Sequence, residues 1–244
     1  MRKWKKALWI GLAVIVGIVG AIGLYYYFYN MRSDEEQSAT YYHLTKEEVA
    51  LLKDGDIILR HGFGFVSDMI VKQLNEEYDL SHCAILCIDS SGMRVIHSVS
   101  SSISPANGVQ SQDLRPFIHD SKRNSVVVVR YKPKNGAVDN SGITRRAKDY
   151  LKKQIPFDHG FDLNDSSSFY CSELPWKCIL NEYGDDIFLG HMNERKDHMS
   201  FEVFLDTSRF EIILNHHPRK AKSAHILRNI HLRYVSNIRP AYVK

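Results

Sequence analysis

Ser168-Phe169-Tyr170-Cys171-Ser172-Glu173-Leu174-Pro175-Trp176 is the stretch that decides how this chain is read. Proline lacks an amide N–H and clashes with a preceding turn, so a helix accepts it only in its first turn. Pro175 therefore predicts a helix over 173–183 that opens a few residues after Cys171, with Ser172 as its N-cap. A thiol at that point meets unpaired backbone N–H groups and the positive end of the helix dipole, and both favour the thiolate. The same N–H groups can stabilise the oxyanion of a tetrahedral intermediate. Far upstream, Leu80-Ser81-His82-Cys83-Ala84-Ile85-Leu86 places a histidine at the head of a short apolar strand. A thiol at a helix start and an imidazole on a strand are the minimum for nucleophilic cysteine chemistry, provided the fold joins them.

Working outward, Thr45-Lys46-Glu47-Glu48 is a capping-box pattern for a short helix to about Leu52. Lys53-Asp54-Gly55-Asp56 is turn chemistry before a buried strand at Ile57-Ile58-Leu59. Ser67-Asp68 is expected to cap a helix carrying Met69, Ile70, Val71 and Leu74. Cys83–Ile88 and Met93–Val99, joined by Asp89-Ser90-Ser91-Gly92, form a predicted hairpin. Strand alternation puts His82, Ala84, Leu86 and Ile88 on one face and Cys83, Ile85 and Cys87 on the other. His97 shares a face with Val95 and Val99, so a hairpin can set His82 and His97 on one surface, although the register is not readable. Residues 100–122 read as loop, 125–131 as a strand, and Ile143, Ala147, Tyr150 and Leu151 as one face of a helix. Two short apolar segments follow between Phe201 and Leu214, the last a strand.

The 244 residues are 25% charged and 44% hydrophobic, which excludes a disordered chain. A net charge of +4 gives no support to nucleic-acid binding. The basic residues crowd the two ends. Ala7–Tyr29, 23 residues without a charge, is long enough to cross a bilayer. Arg2, Lys3, Lys5 and Lys6 precede it and Asp34, Glu35 and Glu36 follow, which predicts a cytoplasmic N-terminus and an extracytoplasmic (periplasmic or cell-surface) domain. The Tyr25–Tyr29 aromatic cluster suits the far interface. A cleavable signal peptide is the competing reading, but the apolar stretch is long for one and no small-x-small site follows. The expected organisation is a basic flank (1–6), a transmembrane signal-anchor (7–29), a linker (30–43), a catalytic domain (44–215) and a basic tail (216–244). From Arg219 to Lys244 the tail holds no acidic residue; it reads as a solvated appendage, or as a segment touching an anionic leaflet or cell-wall polymer.

Cys83 and Cys87 lie about 13 Å apart along one strand, beyond disulfide reach. Cys171 and Cys178 lie about 10 Å apart along one helix, which excludes that pair too. Long-range pairings stay open. The spacings do not match zinc knuckles, so neither a metal nor another cofactor is expected.

Lys53-Asp54-Gly55-Asp56-Ile57-Ile58-Leu59, Leu80–Ile85, Val95-Ile96-His97-Ser98, Phe157-Asp158-x-x-Phe161 and Phe169–Leu174 together resemble the circularly permuted papain-like families. These are relatives of NlpC-type cell-wall hydrolases and of lecithin:retinol acyltransferase, and the YiiX/YaeF group is the most similar. The order, histidine before cysteine, is the permuted one, and the resemblance spans about residues 42–214. It implies an α+β domain, an antiparallel sheet or barrel with flanking helices. It also implies Cys171 as nucleophile and His82 as general base and then acid. The orienting third residue, often Glu in the family, is here His97, as in acyltransferase-like relatives. A neutral imidazole orients its partner with less electrostatic help than a carboxylate. Tyr170, Ser172 and Glu173 become candidates for substrate binding or oxyanion support.

The expected activity is that of a membrane-anchored cysteine hydrolase working through a thioester acyl-enzyme on cell-envelope peptide or isopeptide amides. The alternatives are a lipid-directed acyl hydrolase or acyltransferase, and a non-catalytic peptide- or lipid-binding module on the same fold. The oligomeric state is not legible.

Overall fold

A computed structural model describes residues 2–134, 139–163, 165–189 and 200–217. The capping box forms as expected. The Thr45 side chain accepts from the Glu48 amide, the Glu48 carboxylate accepts from Thr45, and α2 runs Lys46–Leu51. One antiparallel sheet organises the domain in the order β4-β3-β2-β1-β5-β6. Its strands are β1 (Ile57–Arg60), β2 (His82–Asp89), β3 (Gly92–Val99), β4 (Gly108–Asp113), β5 (Val127–Tyr131) and β6 (Phe210–Asn215). The alternation read in β2 divides the core. Cys83, Ile85 and Cys87 face one cluster, roofed by α5 (Ser141–Lys152) through Ile143 and Ala147 and by α6 (Glu173–Tyr183) through Leu174, Cys178 and Ile179. Ala84 and Leu86 face a second cluster with Val95, Leu214 and the α4 residues (Leu114–His119) Leu114, Phe117 and Ile118. The domain is thus a sheet with helices on both sides, an α+β arrangement.

Several boundaries differ from expectation. The α1 helix (Arg2–Ala39) does not stop at Tyr29 but carries the polar residues 30–39, expected as a linker, in the same helix. They are held there because Asn30, Ser33 and Gln37 side chains bond the domain. The α3 helix (Phe65–Leu74) starts three to four residues early, after Gly64, so Ser67 and Asp68 lie inside its first turn rather than capping it. Gly64 adopts φ +92°, a conformation that a side chain would strain. Residues 100–122, expected as loop, contain β4 and α4. The β4 side chains are polar apart from the buried Val109, yet backbone pairing from Arg94↔Asp113 to Val99↔Gly108 makes the strand. Among the basic-tail residues only His216 and His217 are described; the expected membrane or polymer contact of 218–244 lies outside the described residues.

Asp56, in the turn before β1, is fully buried. It is bridged by Arg130 Nε at 2.7 Å and Arg130 Nη2 at 2.8 Å, and accepts the Lys53 amide at 2.8 Å. It fastens β1 to β5. Arg130→Met strands this carboxylate and is expected to cost about 3–5 kcal/mol, read by denaturant unfolding.

Candidate active site

The two histidines meet. In the observed register Ile85 faces Ile96, so His97 on β3 is the diagonal neighbour of His82 at the head of β2. The His82 Nε2 to His97 Nδ1 distance is 2.8 Å, with ring centroids 5.1 Å apart. Both rings rest on Phe117 of α4, at 5.9 Å and 5.5 Å between centroids. A cation shares this nest. Arg60, the strand partner of His82, holds its guanidinium 4.2 Å over the Phe117 ring and donates to the carbonyls of Phe117 and Asp120.

Burial and the Arg60 charge act in one direction on both imidazoles. His97 is 3% exposed, and its pKa is pushed down to about 3 by burial and then by Arg60. His82 lies well below the ordinary histidine value through burial, then through His97 and Arg60. Both rings are therefore neutral near pH 7, and a neutral imidazole is a proton acceptor. Among the described residues His82 Nδ1 makes no hydrogen bond, while His97 Nε2 is buried without a partner.

Cys171 sits half-buried two residues before α6. Cys83, the residue after His82, donates its thiol to the Cys171 carbonyl at 3.1 Å. The Cys171 thiol is shifted below the ordinary value, chiefly by the Cys83 thiol beside it. Burial opposes the shift, and the backbone N–H groups of Ser172, Cys171 and Cys83 add to it. Burial pushes the Cys83 thiol well up, so Cys171 is the more acidic of the two. One further bond aligns the two halves of the site: Ser98, next to His97, donates to the Phe169 carbonyl at 2.5 Å.

The structure thus joins His82 to His97 and Cys171 to Cys83. Among the described residues no hydrogen bond closes between the Cys171 sulfur and His82. Catalytic hydrogen bonds are commonly long before substrate binds, so the open pair is compatible with a working dyad.

The flanking candidates divide. Ser172 precedes α6, but its backbone is already helical (φ −79°, ψ −19°) and its side chain makes no cap bond. An N-cap side chain needs extended backbone to reach back, and here its hydroxyl is buried and unpartnered instead. Tyr170 is buried with its ring 5.4 Å from Phe161, and burial followed by the Glu173 charge pushes its phenol up. Glu173 is fully buried, accepts the Tyr170 amide at 3.4 Å and lies 3.8 Å from Lys177 Nζ.

Burial raises the Glu173 pKa to about 8. A raised carboxyl stabilises the fold fully below its unfolded value and loses that contribution as pH rises through about 8. Glu173→Gln is accordingly expected to flatten the stability profile between about pH 4.5 and 8, where the wild type loses about 1.4 kcal/mol per unit. Thermal unfolding against pH reads this directly.

Arg60, Phe117 and Cys83 were not singled out by sequence as parts of a site. Arg60 closes an apolar strand, an unusual place for a buried cation, and that was the available signal. Cys83 read as a small core residue, and nothing local marks its contact with Cys171.

These elements can be set beside known proteins. A family model described as a permuted papain-like amidase enzyme, YaeF/YiiX, C92 family, matches residues 51–221. A solved structure entitled "Crystal structure of metalloprotein yiiX from Escherichia coli O157:H7, DUF1105" superposes with a TM-score of 0.51. It is 21% identical over 67% of this chain and 97% of its own, a likeness of fold. No curated protein matches the chain. With the family model covering well over half of its length, the chain belongs to the permuted papain-like amidase family of the YaeF/YiiX type.

Proposed function

We propose that the chain is a membrane-anchored cysteine hydrolase in which Cys171 is the nucleophile, His82 its base and His97 the residue that orients His82. The family supports the coarser statement, an amidase-type hydrolase. One observation carries the finer reading. A histidine pair held neutral, with His82 Nδ1 free, stands at the strand whose next residue touches the residue with the thiol of lowered pKa.

The cycle follows from the atoms. With the proton of His82 on Nε2, that nitrogen donates to His97 Nδ1 and leaves the Nδ1 lone pair of His82 as base. Substrate closes the gap between Nδ1 and the thiol. His82 takes the Cys171 proton as sulfur attacks the acyl carbonyl, and the oxyanion forms beside the N–H groups of Cys171 and Ser172. His82 then protonates the leaving amine, giving a thioester on Cys171. Water, deprotonated by His82, attacks the thioester; the acid leaves, and the proton passes from His82 to the Cys171 sulfur.

The structural neighbour's title calls that protein a metalloprotein. Among the described residues of this chain no group of three His, Cys, Asp or Glu converges as a ligand set.

The preferred substrate is a cell-envelope peptide or isopeptide amide. The helix Trp4–Ala39 is long and apolar enough to cross a membrane, and its exposure in the folded domain supports an anchor over a core helix. Turnover of muropeptide amides and of phospholipid esters, each compared between wild type and Cys171→Ala, tests the substrate class. Cys171-dependent release from amides is expected; release from lipid esters alone overturns the amide preference.

A further inference from the structure

The α3 helix has six apolar residues in ten, Phe65, Val66, Met69, Ile70, Val71 and Leu74, yet none is fully buried. Ile70 and Leu74 pack partly on the core. On a helical projection Phe65, Val66 and Met69 lie together on another face, with Lys72 at its edge and Gln73 within it. Met69 is 46% exposed.

The depth of this face relative to α1 is fixed by contacts. The Phe65 ring packs edge-on against Tyr26 (5.5 Å) and Tyr29 (5.6 Å). Asn30 and Ser33 of α1 accept the amides of Phe65 and Gly64, two of the N–H groups that the start of α3 leaves open. Tyr29 donates to Asp68. Tyr26 and Tyr29 belong to the uncharged run Ala7–Tyr29, which is about as long as the hydrocarbon core is thick, so they end it at the headgroup level. Phe65 must share that level. Asp68, the one acid of α3, is neutralised by Lys122, with His61 at 2.8 Å. Lys72 is placed to extend its stem along the leaflet and its ammonium to phosphate.

We propose that α3 lies on the membrane surface where α1 emerges, with Phe65, Val66 and Met69 in contact with lipid. The domain is then seated on the bilayer rather than suspended from it. The proposal rests on the membrane-anchor reading and is independent of the cysteine chemistry. Phe65 follows Arg60, the strand partner of His82, by five positions, so the histidine end of the sheet stands within about 18 Å of the level of Phe65.

The test is photocrosslinking of the full chain in phosphatidylethanolamine–phosphatidylglycerol nanodiscs containing an alkyne-tagged phospholipid. A benzophenone amino acid replaces Met69, Leu12 within the span, or Ser90 in the exposed turn at the far end of β2. Matching thermal unfolding midpoints establish that the three proteins fold alike. Lipid adducts at Met69 about tenfold above those at Ser90, together with adducts at Leu12, are expected. Adducts at Leu12 with Met69 no higher than Ser90 overturn the seating and leave the anchor standing. No adduct at Leu12 overturns both. Met69 crosslinked to a second copy in place of lipid also overturns it.

Discussion

Cys171→Ala is expected to lower kcat/KM by about four orders of magnitude or more, leaving only what binding and the oxyanion N–H groups supply. The loss is large because removing the sulfur removes the covalent route itself, not an increment of binding. The fold should survive. The side chain is half-buried before α6, and Ala retains the backbone N–H groups that open the helix. Equal unfolding curves with lost turnover locate the effect in chemistry. Cys83→Ala is the internal control: it removes the thiol bonded to the Cys171 carbonyl and should weaken turnover without abolishing it. If Cys171→Ala turns over and Cys83→Ala does not, the roles assigned to the two thiols are reversed.

His82→Ala carries the second large effect, about 10²- to 10⁴-fold in kcat/KM, the range of a lost general base. Its signature is in the pH profile. With His82 well below its ordinary value and His97 near 3, the imidazoles do not limit activity until the solution is far more acidic than pH 6.5. The acid limb of wild-type kcat/KM is therefore expected well under that value. Arg60→Met removes the positive charge that both rings feel, lets their pKa values rise, and should move the limb upward. A limb near 6.5 that ignores Arg60 would mean that neither buried imidazole sets the rate. His97→Asn should cost less than His82→Ala, since it alters the orientation of the base without deleting it.

The parts of this molecule legible in its sequence are those fixed by local rules. The capping box at Thr45, the alternation of Cys83, Ile85 and Cys87 against Ala84 and Leu86, and the helix opened by Pro175 follow from backbone sterics and periodicity. The shared surface of His82 and His97 followed from the same alternation once a hairpin was assigned. What escaped was set by distant partners. Residues 30–39 read as a linker from their polarity, yet their side chains cap α3 and bond Asp120 on the far side of the sequence. Apart from the core residue Val109, β4 is polar and shows no strand pattern, because this edge strand is made chiefly by backbone pairing. The Arg60 nest exists only because α4 lays Phe117 beneath both histidines, a packing event that no spacing announces.

The same division explains Cys171. Its place at a helix start was readable from Pro175; the thiol beside it was not, because Cys83 reaches it across the interface between β2 and the turn before α6. By its sequence Ser172 is a cap. The turn instead enters the helix one residue earlier in conformation, leaving the hydroxyl unpartnered next to the nucleophile.

Rapid-quench mass spectrometry of the wild-type protein mixed with an activated acyl ester reads the covalent step itself. A hydroxylamine-labile acyl adduct should appear on the peptide containing Cys171, form at least tenfold more slowly in His82→Ala, and be absent in Cys171→Ala. An adduct that persists in Cys171→Ala, or that forms at an unchanged rate without His82, would contradict the assignment of nucleophile and base.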